Sequence, residues 1–237
     1  MLSDTFIVGF SQVLILLIYF LNSILLAKNL GIEKFGTYSL VIVYASLCQI
    51  FSLPGNNISI RKGLVKGNDP IFYILLKESI FFSMKVGLLI SLVSFALFFL
   101  QLIDKNTTFI CIMMSLFTIV WGIDKFDNVL VGKKEFILSR KILFFNALLL
   151  ILTTGLVSFF TNSWEYAIVG NFFTRFTVAL IGLKIISKLL IDKKIDNSIK
   201  ESLTNEAKWY NFFNLVNIIV SQIDKLIIGI LDVNYLA

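Results

Sequence analysis

Seven long apolar runs follow one another along this chain, at about 6–27, 38–60, 79–103, 107–131, 142–160, 166–190 and 209–231. Each is close to the ~20 residues that a helix needs to cross ~30 Å of hydrocarbon. Helices of soluble proteins bury one apolar stripe, whereas these runs are apolar nearly all round, and the mean hydropathy is +0.88. Because backbone polar groups in lipid need partners within their own segment, the runs predict transmembrane helices.

Most of the 21 lysines and arginines lie in every second gap between these runs. The basic gaps are 61–78, 125–141 and 184–208, and the other gaps contain only Lys28, Lys34 and Lys105. Since positively charged loops stay in the cytoplasm, this alternation predicts a cytoplasmic N-terminus. Topology and attraction to anionic lipid headgroups account for the net charge of +6, and no nucleic-acid-binding motif accompanies it.

The sequence offers little for catalysis or metal binding. It contains no histidine, which excludes His-based metal sites and Ser-His triads. No phosphate-binding glycine loop and no cluster of a nucleophile with a base is present, so we expect no enzyme, no metal site and no cofactor. Cys48 and Cys111 lie in apolar runs and are interpreted as small core residues rather than a disulfide.

Four short motifs stand in order along the chain. They are LAKNLGIEKFGTYS at 26–39, NISIR at 57–61, VLVGKKEF at 129–136 and QIDKLIIG at 222–229. Together they resemble the bacterial polysaccharide and O-antigen repeat-unit flippases (Wzx type), within the multidrug/oligosaccharidyl-lipid/polysaccharide exporter superfamily. The resemblance implies an all-α integral membrane protein whose complete form has two six-helix lobes.

This chain would then hold about seven transmembrane helices: one six-helix lobe and the first helix of a second lobe, a truncated form of the family. The Lys-rich stretch 192–208 has the composition of a solvated linker and is the predicted domain boundary. We therefore expect an N-terminal lobe at 1–191, a cytoplasmic linker at 192–208, and the first helix of the incomplete second lobe at 209–237.

The function that the resemblance implies is translocation of lipid-linked oligosaccharide repeat units across the inner membrane, for O-antigen, capsule or exopolysaccharide synthesis. The expected partners are undecaprenyl-diphosphate-linked oligosaccharide, membrane lipids and the polysaccharide polymerase machinery, with no nucleic acid. The alternatives are a drug or small-molecule exporter of the same superfamily and a non-transporting remnant. A seven-helix receptor or retinal protein is disfavoured, because the charge pattern places the N-terminus inside.

Polar side chains inside the apolar runs are the candidate site, because a charge at mid-bilayer costs at least ~2.5–3.5 kcal/mol. A hydrophilic, partly cationic cavity between the first, second and seventh helices would bind the substrate through Arg61, Arg175, Asn22, Gln49, Asn56, Asn214, Asp224 and Lys225. The alternative is that the amides only join helices to one another. Asp124 and Asp127 are candidates for binding a coupling Na⁺ or H⁺, with a solvated loop end as the other interpretation.

Overall fold

The computed structural model describes residues 2–190 and 197–235, with side chains described for 6–190 and 200–221. Within these ranges every regular element is a helix. The elements are α1 (Leu2–Cys48), a 3₁₀ turn (Gln49–Ser52), α2 (Asn56–Val65), α3 (Pro70–Phe99), α4 (Lys105–Ile123), α5 (Phe126–Gly132), α6 (Phe136–Leu150), a π-helical segment (Ile151–Leu156), α7 (Val157–Thr161), α8 (Trp164–Leu189) and α9 (Asn197–Tyr235).

Five helices in the described part of the chain are long and apolar enough to cross a membrane: Phe6–Ser52, Pro70–Phe99, Lys105–Gly132, Phe136–Thr161 and Trp164–Leu189. The first contains two predicted runs, because α1 stays helical through the gap between them and is interrupted only at Gly31 (φ 78°, ψ 168°). This backbone conformation is open almost exclusively to glycine. The seventh predicted run lies in α9. The all-α membrane fold predicted from the sequence is confirmed.

Apolar side chains cover the outside of the helices, and small polar ones lie between them. More than half-exposed are Phe6, Phe10, Phe20, Leu88 and Leu92. Among the buried polar residues are Asn22, Asn56, Ser83, Thr154 and Asn171. This distribution suits a lipid environment, where apolar surface is already solvated and helices associate through close packing and interhelical hydrogen bonds.

The chain separates into two compact units. The first consists of Met1–Tyr38 and Asp124–Leu190, and the second of Ser39–Ile123 and Ile191–Ala237. The first unit therefore contains the first half of α1 together with α5 to α8. The second contains the rest of α1 with α2, α3, α4 and α9. The predicted boundary at 192–208 divides the chain differently and stays a prediction, although α9 begins at Asn197 and so makes 197–208 helical.

Polar contacts in the first unit join α1 to the segment from α6 to the turn after α7. They pair Gln12 with Arg140, Tyr19 with Asn146, Asn22 with Thr154, Asn29 with Gly155 and Ser158, and Lys34 with Asn162. The residue numbers rise together on both sides, so the two helices run parallel. The predicted topology gives these two runs the same direction through the membrane.

The second unit is organised around a break after the 3₁₀ turn. Leu53 has a left-handed conformation (φ 52°) and is followed by Pro54, so the helical path does not continue past the 3₁₀ turn. The next helix, α2, begins at Asn56. Small residues let α3 and α4 pack closely, and the hydroxyls of Ser91 and Ser115 are hydrogen-bonded at 2.7 Å. The start of α9 lies antiparallel along α2, with Leu203 and Ala207 buried. The break therefore covers Leu53, Pro54 and Gly55, since Asn56 is already the first residue of α2.

Candidate functional site

Arg175 lies at the middle of α8 and is half-buried. The helix has 26 residues, ~39 Å at 1.5 Å per residue, and Arg175 is roughly 16 Å from its start. Its Nε donates to Oδ1 of Asn171 at 2.9 Å, and Nδ2 of Asn171 donates to the hydroxyl of Tyr38 at 2.9 Å. Both partners are buried. The amide of Asn171, which is itself held by the phenol of Tyr38, therefore orients the guanidinium of Arg175.

Asp124 and Lys125 occupy the short break between α4 and α5. Lys125 is fully buried and is among the largest side chains in the core. The carboxylate of Asp124 is half-buried and interacts electrostatically with Arg175, Lys125 and Asp127. Because isolated buried charges are costly, the acid and the two bases compensate one another. The sequence had assigned Lys125 to a basic loop; the structure places it in the interior.

Asp127, the second candidate for ion coupling, lies in the first turn of α5. Its Oδ1 accepts a hydrogen bond from the hydroxyl of Ser139, a buried residue of α6. This bond joins two neighbouring helices of the first unit. The contact favours a structural role for Asp127, whereas Asp124 interacts electrostatically with Arg175.

Asn22 is buried in α1 and its Oδ1 accepts a hydrogen bond from the Thr154 hydroxyl at 3.0 Å. Thr154 belongs to the π-helical segment, whose wider turns are frequent at functional sites. Gln12, Tyr19 and Asn22 share one face of α1, because they are spaced seven and three residues apart. In the structure this face is turned toward α6 and the π segment, so its amides join helices within the first unit.

Asn56 is the first residue of α2 and is almost completely buried. Its Nδ2 donates to the carbonyl of Leu75 at 3.2 Å and to the hydroxyl of Ser79 at 3.0 Å. Its Oδ1 accepts from Nδ2 of Asn211 at 3.0 Å. Both donor hydrogens and the acceptor are occupied, so Asn56 connects α2, α3 and α9.

The other predicted residues of the second unit whose side chains are described are less buried than Asn56. Gln49 is half-buried at the start of the 3₁₀ turn, and Arg61 is exposed on α2. Asn214 is half-buried, and its Nδ2 donates to the carbonyl of Tyr210 in its own helix at 2.9 Å. The side chains of Asp224 and Lys225 lie outside the described residues. Their part in the predicted cavity stays a prediction, as does the cavity itself.

An ion pair near the start of α9 was not anticipated from the sequence. Nζ of Lys62 lies 2.9 Å from Oε2 of Glu206 and 2.6 Å from the hydroxyl of Tyr210. These two acceptors, Tyr210 first and Glu206 second, raise the pKa of Lys62 above its ordinary value. All three groups are solvent-accessible, so the contribution of the pair to stability is small. Its value is positional, because it fixes the register of α9 along α2.

The structure thus places Asp124 within electrostatic range of Arg175. It adds three residues that the sequence had not singled out, namely Asn171, Tyr38 and Lys125. Asn171 had a detectable signal, since it lies four residues before Arg175 on the same helix face. Tyr38 and Lys125 had none, because nothing local distinguishes a buried phenol or lysine from an interfacial one. No group of acidic residues or cysteines that could bind a metal occurs in the described part of the chain, and both cysteines are free.

A comparison with protein families gives a match over almost the whole chain. The family model described as "Polysaccharide biosynthesis protein" matches residues 1–235. Neither the curated proteins nor the solved structures contain a match to this chain. The resemblance inferred from the four motifs is confirmed at the level of this family.

Proposed function

Since this membrane protein belongs to the polysaccharide biosynthesis protein family, we propose that it moves lipid-linked oligosaccharide repeat units from the inner to the outer leaflet. The substrate is an undecaprenyl-diphosphate-linked oligosaccharide, destined for O-antigen, capsule or exopolysaccharide. The membrane is the bacterial inner membrane, and the N-terminus is cytoplasmic. Supporting this orientation, the basic gaps lie on one side of the predicted helices, where positive charge is retained.

The proposal rests on the hydrogen bonding of the Arg175 guanidinium. Among the described residues only its Nε makes a hydrogen bond, to Asn171. The two terminal nitrogens keep their donors for a ligand, and a planar fork of donors matches the oxygens of a phosphate. A cation held near mid-bilayer by buried neutral partners is suited to stabilising a diphosphate during passage.

Two further residues complete the proposed route. Arg61 is exposed on α2, next to the break at Pro54, and would attract the diphosphate before it reaches Arg175. Asp124 competes with the diphosphate for Arg175, because both are anions near the same cation. Protonation of Asp124 or binding of Na⁺ to it would remove the negative charge that opposes a diphosphate at Arg175, which couples ion binding to transport. Asp124→Asn should accordingly insert normally and abolish the dependence of export on the ion gradient.

The proposal is tested by measuring surface glycan in cells that depend on this protein. Arg175→Ala should reduce export roughly ten- to hundredfold, the equivalent of the ~1.5–3 kcal/mol that a hydrogen bond to a charged group contributes. Arg175→Lys should recover only part of it, since an ammonium cannot form the bidentate contact.

Arg140→Lys is the matched control for Arg175→Lys, because it also replaces an arginine by lysine. Arg140 donates a hydrogen bond to Gln12 and is not assigned to phosphate binding. We expect this variant to export normally. Full surface glycan from Arg175→Ala, present in the membrane at the normal level, would show that Arg175 is a packing residue.

A further inference from the structure

A cleft opens at one end of the first unit, where the chain after the Gly31 break meets the turn between α7 and α8. Its volume is about 370 Å³, and the residues around it include Glu33, Lys34, Asn162, Ser163, Trp164 and Glu165. This volume lies within the ~300–1,000 Å³ of small-molecule sites. The lining of the Glu33–Glu165 cleft, as we name it, includes neither Arg61 nor Arg175, the residues assigned above to phosphate binding.

Hydrogen bonds hold both walls of the Glu33–Glu165 cleft in place. On one side, Nζ of Lys34 donates to the backbone carbonyl of Asn162 at 2.9 Å and to its Oδ1 at 3.4 Å. On the other, the hydroxyl of Ser163 donates to the carboxylate of Glu165 and accepts from the backbone N–H of Tyr166 at 3.4 Å. A site whose walls are fixed before binding loses less entropy when a ligand enters.

The lining of the cleft combines acceptors, donors and an aromatic ring. The carboxylates of Glu33 and Glu165 only accept hydrogen bonds, and the ammonium of Lys34 only donates them. The indole of Trp164 supplies an apolar face. Glu33 is exposed, and within the described ranges its carboxylate has no hydrogen bond or ion pair. It is therefore open to a ligand.

The charge of the lining selects the class of ligand. Two carboxylates against one lysine repel a phosphate, so the cleft does not suit the diphosphate end of the substrate. A sugar hydroxyl both donates and accepts, which matches this mixed lining, and the C–H face of a sugar ring packs on an indole. We propose that the Glu33–Glu165 cleft binds sugar residues of the glycan as it emerges, an inference that rests on the export function proposed above.

Protection of an engineered thiol tests this inference without knowledge of which sugars are present. Thr161→Cys places a thiol at an exposed position, one residue before Asn162 of the cleft lining. Cells are treated with a membrane-impermeant maleimide, in one strain that makes the repeat unit and in another that lacks the transferase for its first sugar. Labelling should be ~3-fold slower in the first strain, which corresponds to about two-thirds occupancy. The unaltered chain, whose two cysteines lie within α1 and α4, gives the background.

Leu102→Cys, in the exposed turn between α3 and α4, is the control and should react at the same rate in both strains. Adding Glu33→Gln to Thr161→Cys should abolish the protection, and because Glu33 is exposed this change is compatible with folding. Trp164→Ala should do the same. Equal labelling of Thr161→Cys in both strains, with normal surface glycan in the strain that makes the repeat unit, would contradict sugar binding by the cleft. It would not contradict the export function. Normal surface glycan in cells without this protein would instead contradict the export function.

Discussion

At the scale of single residues, the absence of a side chain at Gly55 determines how α9 meets the rest of the second unit. A Cβ at this position would lie 2.1 Å from the backbone nitrogen of Asn211 and 2.4 Å from the backbone carbon of Tyr210. The Gly55 N–H also donates to Oδ1 of Asn211 at 2.6 Å. Two backbones therefore touch here, and neither can give way as a flexible side chain could.

We expect Gly55→Ala to destabilise the second unit by about 1–3 kcal/mol or more, the usual cost of forcing a methyl group into a packed interior. Thermal unfolding of the purified protein, together with protease cleavage within α9, measures this loss. Gly36→Ala is the control, since a Cβ there meets nothing within 4 Å and alanine favours a helix. Equal melting temperatures for Gly55→Ala and the unaltered protein would contradict the close contact.

The sequence predicts where a single residue lies on its helix better than which residue it contacts. The depth of Arg175 and the shared face of Gln12, Tyr19 and Asn22 follow from helical periodicity alone. The partner of Asn22 is Thr154, 132 residues away in the chain, and no local pattern encodes such a pairing. Lys125 was assigned to a loop, because its neighbours in the sequence are charged and only the packing of α5 against other helices buries it.

At the scale of elements, the ends of helices are set by identifiable side chains. Asp104 precedes α4 and accepts hydrogen bonds from the backbone N–H groups of Thr107 at 3.1 Å and Asn106 at 3.3 Å. These groups have no partner inside the helix, so the carboxylate caps it. The hydrogen bonds to the carboxylate, those of Thr107 first, lower the pKa of Asp104 below its ordinary value.

A lowered pKa in the folded state predicts a loss of stability in acid. The contribution of Asp104 is complete above the unfolded value of ~3.9 and disappears as the pH falls through the folded pKa. We expect the melting temperature of the unaltered protein to fall more steeply below about pH 4 than that of Asp104→Asn, which caps without ionising. Identical acid dependence of the two proteins would mean that the cap contributes nothing.

Helix existence was predictable from the sequence, whereas helix continuity was not. The apolar runs predicted the type and positions of the long helices, because a span of lipid requires a certain length. The number of helices differs, because the first two runs share the helix α1. The polar residues and glycines between the first two runs predict a loop, yet the backbone there is helical except at Gly31. Periodicity also gives no warning of the π segment at Ile151–Leu156, because one additional residue per turn leaves the composition of the run unchanged.

At the scale of the whole molecule, the topology has support from contacts inside each unit. The gaps at 28–37 and 161–165 were assigned to the same side, and Lys34 and Asn162 are hydrogen-bonded to one another. The gaps at 61–78 and 184–208 were assigned to the opposite side, and Lys62 pairs with Glu206. These contacts are consistent with the alternation of basic and non-basic gaps within each unit, and they leave open which side is the cytoplasm.

Reporter fusions decide that question. A reporter active only in the cytoplasm should give signal when inserted at 184–208 and none at 161–165, because the lysine-rich gap is retained inside. A reporter active only outside the cytoplasm, inserted at the same two positions, serves as the control and should give the complementary result. The reverse pattern would overturn the orientation and the direction of transport proposed for the glycan.

The placement of apolar side chains on the outside of the helices has a calorimetric consequence. In a soluble protein, unfolding transfers apolar surface into water and raises the heat capacity, which curves the dependence of stability on temperature. Here residues such as Phe20 and Leu92 are exposed on the folded protein, so in a micelle or bilayer they face apolar chains before unfolding begins. Helices that separate within a micelle or bilayer expose little further apolar surface to water. Their stability should therefore vary almost linearly with temperature, and cooling should not weaken the packing of their serine, threonine and asparagine contacts.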